Sequence, residues 1–308
     1  MSEELYRKYR PTKLSEFIGQ EEAIAVIKDM DKRGVVPHVL LMTGTSGTGK
    51  TSMGRLIAAR LGCGAIDLHE MNCADSRGID DMRDIAMSMS LAPMNGKVKV
   101  YLMDEVGLLT SPAQSSLLKV LEDTPKHVYF ILCTTDPQKL LKTLTGRCTE
   151  VNFKTLSVEN TSRLVLSICE KEGKKVPQKV VQAISEMAQG SARKALVLLH
   201  SVIGLDSEEA QLSVIGKMET EESGNVIELY KQLLSPKGSW TEMQKLLTAM
   251  KDGGEAERIR RALRSCATKS LLGNWGEKGR AFLIANEFKN PEYDMENIIS
   301  SCYAIFSA

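Results

Sequence analysis

The sequence predicts an α/β fold in which a parallel β-sheet domain is followed by two helical regions. Apolar stretches of strand length occur at residues 39–43, 68–73, 97–103, 128–133 and 151–153. Amphipathic stretches of helix length separate them, and strands that alternate with helices form parallel sheets with crossover helices. Later segments show helical periodicity. The predicted domains are a sheet domain (1–154), a small helical lid (155–205) and an all-helical domain (206–308).

The composition is that of a globular protein, with 43% hydrophobic and 26% charged residues among 308. The net charge of +1 gives no global basic field, so any contact with DNA must come from local clusters of Lys and Arg. The seven cysteines include no C-x-x-C pair, which argues against a disulfide framework and a four-cysteine zinc site. We therefore expect no zinc and a reducing, cytoplasmic location. No apolar run approaches bilayer length, so we expect no membrane contact.

A complete G-x-x-x-x-G-K-[ST] motif follows the first predicted strand and precedes an amphipathic helix. In such a phosphate-binding loop, glycines bring backbone N–H groups against phosphate oxygens, and the helix aims its positive end at the same place. Lys50 is expected to reach the terminal phosphates, and the Thr51 hydroxyl to bind Mg²⁺. The predicted nucleotide-binding residues in this stretch are Gly44, Thr45, Ser46, Gly47, Thr48, Gly49, Lys50, Thr51 and Ser52.

A basic and aromatic cluster from Tyr6 to Pro11 lies upstream of this motif. Taken alone, such a cluster is usually a solvated face. Ahead of a phosphate-binding loop it is also placed to flank the purine of a nucleotide, with Tyr9 or Ile18 offering apolar surface. The residues alone leave both interpretations open.

The third predicted strand ends directly on Asp104 and Glu105. By itself a carboxylate pair is more often a surface turn. Combined with the phosphate-binding loop, it predicts the second half of an ATPase site, in which Asp104 holds Mg²⁺ and Glu105 orients and deprotonates the attacking water. The fourth strand runs into Thr135, and a polar residue at the carboxyl end of a parallel strand lies beside the ligand crevice. Thr135 is therefore a candidate for sensing the terminal phosphate of ATP.

Residues 8–199 resemble the clamp-loader family of AAA+ ATPases, particularly the gamma/tau subunit of bacterial DNA polymerase III and the small subunits of replication factor C. The matching stretches, in the order of the family, are Lys8–Pro11, Ile18–Gln20, Gly44–Ser52, Lys99–Val106, Leu117–Glu122, Thr134–Leu140, Gly146–Cys148 and Gly190–Ala195. The chain lacks the four-cysteine zinc insertion of bacterial gamma, and around residues 72–80 it is closer to replication factor C. This mixture suits a phage-encoded or divergent loader.

The resemblance implies roles for several single residues. Thr135 would be the first sensor, Arg193 the second sensor from the lid, and Arg147 the arginine finger that completes the site of a neighbouring subunit. Gln114 matches the glutamine that couples DNA contact to the catalytic glutamate. Gly146 stands where the family has serine. The residues that the resemblance adds to the nucleotide site are Tyr9, Arg10, Pro11 and Ile18.

The resemblance further implies an ATP-driven subunit that opens a polymerase processivity clamp and loads it onto primer-template DNA, with ATP and Mg²⁺ as ligands. The implied partners are the sliding clamp, primer-template DNA and other loader subunits, together a pentamer. The expected location is the cytoplasm of a bacterial or phage-infected cell. Helix starts track DNA phosphates in this family. The residues assigned to that contact are Arg77, Arg83, Thr110 and Ser111.

The C-terminal domain would be the helical collar that holds the oligomer together, although its amphipathic helices are also typical of an ordinary core. Arg258, Arg261 and Arg264 form either an interface stripe or a solvated helix face. Two other functions remain open at this point. One is another DNA-directed AAA+ motor, such as a branch-migration helicase. The other is a non-hydrolysing structural loader subunit, which is expected to have a degraded phosphate-binding loop.

Overall fold

The computed structural model describes residues 3–75, 78–236, 238–251, 256–273, 277–289 and 295–307. The chain divides into two compact units, Met1–Leu212 and Ser213–Ala308. The first unit contains a five-stranded sheet with helices, and the second is helical in its described residues. The α/β class predicted from the sequence is confirmed. The division of the first unit into a sheet domain and a lid at residue 154 stays a prediction.

The sheet of the first unit is parallel throughout. Its strands are β1 (Val39–Thr43), β2 (Cys63–Asn72), β3 (Val98–Asp104), β4 (Val128–Thr134) and β5 (Thr149–Asn152). They lie in the order β2-β3-β4-β1-β5. The second strand was predicted to start at Leu68, which was wrong, since it starts at Cys63. The error arose because Gly62 and Gly64 together suggest a turn. Only Gly62 has a left-handed backbone (φ 79°), whereas Gly64 continues β2.

The first unit contains nine helices among its described residues. They are α1 (Leu5–Lys8), α2 (Glu21–Arg33), α3 (Lys50–Arg60), α4 (Ile79–Met89), α5 (Ser111–Glu122), α6 (Lys142–Thr145), α7 (Val158–Lys171), α8 (Gln178–Met187) and α9 (Ala192–Val202). Ser157 and Ser191 cap α7 and α9, because their hydroxyl oxygens accept the backbone N–H groups of Asn160 and Lys194. Helices α7 to α9, which lie within the predicted lid, pack against one another.

Side-chain alternation along β1 builds a core on each face of the sheet. Leu40 and Met42 belong to one buried cluster, which includes Ile27 of α2. Leu41 belongs to the other cluster, which includes Leu117 of α5. The sheet is therefore covered by helices on both faces. Because the strands are parallel, the carboxyl ends of β1, β3 and β4, where the functional loops begin, lie at a single edge of the sheet.

Asp67 is a buried carboxylate that the sequence analysis did not single out. Its two oxygens accept the backbone N–H groups of Met94 (2.6 Å), Asn95 (2.8 Å) and Gly96 (2.6 Å). These bonds, led by the one from Met94, hold the pKa of Asp67 below its ordinary value. The carboxylate thereby anchors the loop before β3 to β2.

We predict that Asp67→Asn lowers the free energy of unfolding at pH 7, because a neutral amide replaces the charged acceptor of three N–H groups. The lowered pKa means that the stabilisation is complete above the unfolded-state pKa of about 4 and is lost as the pH falls through the folded-state pKa. Urea unfolding should therefore separate the two proteins at pH 7 and bring them together as the solution is acidified. An equal difference in the free energy of unfolding between the two proteins at all pH values would contradict this account.

In its described residues the second unit holds four whole helices and most of a fifth, α10, which begins in the first unit; its apolar core includes Leu229, Leu263 and Phe288. The helices are α10 (Glu208–Leu234), α11 (Trp240–Lys251), α12 (Ala256–Leu272), α13 (Lys278–Glu287) and α14 (Met295–Ser307). The collar role of this unit stays a prediction. In the described part of the chain, no helix has the length and hydropathy that a bilayer crossing requires.

The arginines of α12 differ in burial. Arg261 and Arg264 are exposed, and the side chain of Arg258 lies outside the described residues. Arg260, which the sequence analysis passed over, is buried, and its guanidinium donates to the Phe288 carbonyl at 2.6 Å. The interface and solvated-face interpretations of the stripe both remain predictions.

Candidate nucleotide-binding site

A cavity of about 450 Å³ lies between the phosphate-binding loop, the N-terminal segment and the lid helices. Its size falls within the range of roughly 300–1,000 Å³ that is typical of small-molecule sites. The predicted nucleotide-binding residues that line it are Tyr9, Arg10, Pro11, Ile18, Ser46, Gly47, Thr48, Gly49, Lys50, Thr51, Ser52 and Arg193. Asp104 and Glu105 line it too. The structure thus brings together the predicted phosphate, metal and base residues.

The phosphate-binding loop needs glycine at the point where the lid approaches it. Gly47 has a left-handed backbone (φ 76°), and a Cβ at this position would collide with the Ser191 hydroxyl oxygen. The backbone N–H of Arg193 donates to the Gly47 carbonyl at 3.3 Å. The second sensor predicted from the lid is therefore anchored beside the loop. The contact made by Ser191 was not predicted, since no local pattern marks it.

Lys50 is the first residue of α3, and it is buried with an exposed fraction of 5%. Its ammonium group donates to the carbonyl oxygens of Gly44 (2.7 Å) and Thr45 (3.0 Å). Gly44 and Thr45, which were predicted to bind the nucleotide, do not line the cavity. Their carbonyl groups instead position the Lys50 side chain. Burial lowers the pKa of Lys50, while the nearby Glu105 carboxylate acts in the opposite direction. A cation held in this way is suited to the terminal phosphates of a nucleotide.

Thr51 and Asp104, the two predicted metal ligands, lie within hydrogen-bonding distance. The Thr51 hydroxyl donates to Asp104 Oδ2 at 2.7 Å, although 53 positions separate them in the sequence. A hydroxyl and a carboxylate oxygen beside phosphate are the donors that Mg²⁺ prefers. The residues at this point therefore fit a magnesium ion that is held jointly by the protein and a nucleotide.

Glu105 directly follows β3 and adopts a left-handed backbone (φ 54°), which is uncommon for a residue other than glycine. Such conformations cost of order 1–3 kcal/mol and cluster at functional sites. Its carboxylate accepts a hydrogen bond from the Thr135 hydroxyl at 3.0 Å. The strand order explains this contact, because β4, which leads to Thr135, lies between β3 and β1. The predicted base and the predicted first sensor therefore meet beside the phosphate-binding loop.

The lining of the cavity also includes apolar and aromatic side chains. Tyr9, Pro11 and Ile18 contribute from the N-terminal segment, and Leu164 and Ile168 contribute from α7. A flat aromatic base is suited to such a lining. This arrangement favours the purine-flanking interpretation of the N-terminal cluster over the solvated face.

Gln20 joins three parts of the site, and its role was missed in the sequence. It is buried, its amide N–H donates to the carbonyls of Lys154 (2.7 Å) and Thr48 (3.4 Å), and its amide oxygen accepts the Lys154 N–H (3.1 Å). The side chain thereby fixes the phosphate-binding loop against the segment that enters the lid. In the sequence, the only sign of Gln20 is its place in the stretch Ile18–Gln20, which matches the family.

Arg147, the predicted finger, does not line this cavity. Its guanidinium pairs with Glu122 at 2.5 Å, and the two side chains are 49% and 41% exposed. The preceding Gly146 has an ordinary helical backbone (φ −63°), so glycine is not required there. The guanidinium is thus half exposed, and the finger role of Arg147 stays a prediction.

Gln114 is buried and bonds to backbone groups. Its amide N–H groups donate to the carbonyls of Leu109 and Lys139, both at 3.1 Å, and its amide oxygen accepts the Leu141 N–H at 2.9 Å. These contacts tie the start of α5 to the segment after β4. The structure does not bring Gln114 to Glu105, and its coupling role stays a prediction.

The residues assigned to DNA lie at two helix starts. Arg83 of α4 is exposed and pairs with Asp80 at 2.7 Å. Thr110 caps α5 by accepting the Ala113 N–H, and Ser111 is exposed as the first residue of that helix. Arg77 lies outside the described residues. The DNA contact of these residues stays a prediction.

The sequence has extensive similarity to bacterial replication proteins. A family profile described as "DNA polymerase III, delta subunit" matches residues 74–157. The chain is 32% identical over 249 residues to DNA polymerase III subunit tau of Escherichia coli (strain K12), covering 73% of this chain and 39% of that protein. It is 32% identical to DNA polymerase III subunit gamma of Buchnera aphidicola subsp. Schizaphis graminum, covering 68% and 63%. The chain thus spans less than two thirds of the length of these relatives.

Solved structures with the same fold include the Thermotoga maritima RuvB Holliday junction branch migration motor. The TM-score is 0.58 at 20% identity, with 72% of this chain and 80% of that chain covered. A variant of the same RuvB protein covers 97% of this chain and 90% of its own, with a TM-score of 0.55 and 18% identity. At this level of identity the likeness establishes the fold and carries no statement about the reaction.

Proposed function

We propose that this chain, which belongs to the clamp-loader family of AAA+ ATPases, hydrolyses ATP with Mg²⁺ and thereby loads a sliding clamp onto primer-template DNA. The observation that carries the proposal is that Lys50, Thr51, Asp104 and Glu105 line one cavity, where the Thr135 hydroxyl bonds to the Glu105 carboxylate. A purely structural subunit has no need for this complete set. The DNA polymerase III relatives favour clamp loading over branch migration.

The chemistry is transfer of the terminal phosphoryl group to water. Lys50 and the loop N–H groups hold the phosphates, and Glu105 orients the water and accepts its proton. Thr135 holds the Glu105 carboxylate and is placed to sense the terminal phosphate. Mg²⁺, when bound at Thr51 and Asp104, would neutralise negative charge on the phosphates.

The site is completed by a neighbouring subunit. Arg147 lies outside its own cavity and is half exposed, so its charge is available to the nucleotide of an adjacent chain. We propose that the helical second unit is the collar of such an oligomer, a pentamer by family resemblance. The proposed partners are the other loader subunits, the clamp and primer-template DNA.

Lys50→Ala tests the assignment of the site. Removing the only lysine of the loop should weaken ATP binding by about 10- to 100-fold, because charge-assisted hydrogen bonds to phosphate are lost, and should abolish ATP-dependent clamp loading. Lys28→Ala, which removes an exposed lysine from α2, is the matched control. Nucleotide titration and a clamp-loading assay on primed DNA are the measurements. Normal ATP turnover by Lys50→Ala would eliminate the proposed site.

Arg83→Gln tests the proposed DNA contact. If Arg83 neutralises one backbone phosphate, affinity should fall equally for all sequences, and the log–log salt dependence should flatten by about one unit. Arg60→Gln, which also removes an arginine paired with an aspartate, is the control and should leave the slope unchanged. Binding of primer-template duplex measured over a salt series would decide. An unchanged slope in Arg83→Gln would identify Arg83 as an ordinary surface residue.

A further inference from the structure

A second recess adjoins the nucleotide cavity and is lined mainly by arginines. Its volume is about 500 Å³, and its lining residues are Tyr6, Arg7, Arg10, Arg55 and Arg193. All of these except Arg7 line the nucleotide cavity as well. The two spaces therefore adjoin and share these four residues as a common wall.

The recess borders the phosphate end of the nucleotide cavity. Arg55 lies one helical turn after Thr51 on α3, the helix that begins at the phosphate-binding loop. Arg193 follows the lid contact with this loop, where its backbone N–H donates to Gly47. Anionic groups that leave the loop on this side therefore pass these two guanidinium groups.

Two of the four arginines already have carboxylate partners. Arg55 makes a bidentate pair with Glu70 at 2.6 and 2.5 Å, and both side chains are 34% exposed. Arg7 lies 3.3 Å from Glu4, with exposed fractions of 63% and 52%. The exposed Arg7 pair is weak, of order 0–1 kcal/mol, so a stronger anion can replace Glu4, whereas the bidentate pair of Arg55 with Glu70 is the stronger of the two.

The other two arginines, Arg10 and Arg193, have no acidic partner among the described residues. The Arg193 guanidinium carbon lies 6.0 Å from the centre of the Tyr6 ring, and that of Arg7 lies 5.6 Å from the same ring. Two guanidinium groups thus lie near the Tyr6 ring at one side of the recess. Four positive charges face two negative ones, which leaves an excess of positive charge around the space.

We propose that this recess is a second anion site, which takes orthophosphate as it leaves the nucleotide cavity. Guanidinium forks match the oxygens of a tetrahedral phosphate and stay charged at neutral pH. A cluster of like charges in a concave space also raises the local concentration of anions. The source of the phosphate rests on the proposed ATP hydrolysis, whereas the binding chemistry does not.

Orthophosphate binding is measured on the full chain saturated with the non-hydrolysable analogue β,γ-imido ATP, which occupies the phosphate-binding loop. Calorimetric titration at low salt should detect phosphate binding outside the loop. Arg7→Gln should weaken this binding by about tenfold, since a charge-assisted contact is lost. Arg7→Lys should restore part of it. The affinity for the analogue should not change, because Arg7 lines the recess but not the nucleotide cavity.

Glu70→Gln provides a test in the opposite direction. Removing the carboxylate that competes for Arg55 should tighten phosphate binding by about threefold or more, because the bidentate pair no longer occupies the guanidinium. Damage to the fold does not produce such a gain. Arg33→Gln is the matched control for Arg7→Gln, since Arg33 also pairs with a carboxylate close to it in sequence, Asp29, and should leave phosphate binding unchanged.

Absence of phosphate binding by the wild-type chain, or identical binding by Arg7→Gln and Glu70→Gln, would overturn the proposal. It would also be overturned if Arg7→Gln weakened DNA binding or subunit assembly but not phosphate binding, because the recess would then serve a macromolecule. Phosphate binding without any ATP turnover would reject the proposed function and keep this site. ATP turnover without phosphate binding in the recess would reject this site and keep the proposed function.

Discussion

Replacing Glu105 with glutamine should lower kcat for ATP hydrolysis by about 10²- to 10⁴-fold, the usual contribution of a general base. The amide keeps the size of the side chain but cannot accept a proton from water. Affinity for ATP should stay within a few-fold of wild type, because Lys50 and Thr51 hold the phosphates and metal. Single-turnover hydrolysis and nucleotide titration on the same preparations separate these two effects.

The control for Glu105→Gln is Glu22→Gln, which neutralises an exposed carboxylate paired with Lys154. It should change neither hydrolysis nor nucleotide affinity. If Glu105→Gln instead lost ATP affinity as severely as Lys50→Ala, Glu105 would be a binding residue, and the left-handed turn after β3 would need another explanation.

Replacing Arg147 with alanine should lower ATP turnover in the assembled loader by about 10³- to 10⁵-fold, the range found for arginine fingers. The guanidinium acts on charge that develops in the transition state, so nucleotide binding to the isolated chain should be unchanged. Stimulation of hydrolysis by clamp and DNA should be lost. Turnover measured on the isolated chain and on the assembled complex gives the comparison.

Glu122→Gln is the matched variant for Arg147, since Glu122 is its ion-pair partner within the chain. An exposed pair of this kind is worth about 0–1 kcal/mol, so its loss should leave turnover of the complex close to wild type. A collapse of turnover in Glu122→Gln would mean that the pair supports the local fold. A normal rate in Arg147→Ala complexes would contradict the finger assignment directly.

The sequence predicted the parts of the site that depend on local pattern. The phosphate-binding loop is contiguous, and apolar stretches of strand length identified β1 and the strand that ends at Asp104. The pairing of Asp104 with Thr51 followed from the rule that parallel strands end at one edge of the sheet. Resemblance to the clamp-loader family added Arg193 and Arg147, which carry no local signal of their own.

Other features depend on contacts between distant segments, and the sequence gives no local sign of them. Gln20 meets Lys154 across 134 positions, and Asp67 holds a loop that begins 27 positions later. Glu105 meets Thr135 because β4 lies between β1 and β3. Similarly, Arg260 lies among other arginines of α12, and only the packing around Phe288 distinguishes it.

Hydrolysis by mixed complexes tests the shared site most directly. Lys50→Ala and Arg147→Ala chains are each expected to be inactive when assembled alone. When the two are assembled together, an Arg147→Ala chain with an intact loop can receive the finger of a Lys50→Ala neighbour, so part of the ATP turnover should return. Complexes that are demonstrably mixed and still fail to hydrolyse ATP would contradict a site completed by the neighbouring subunit.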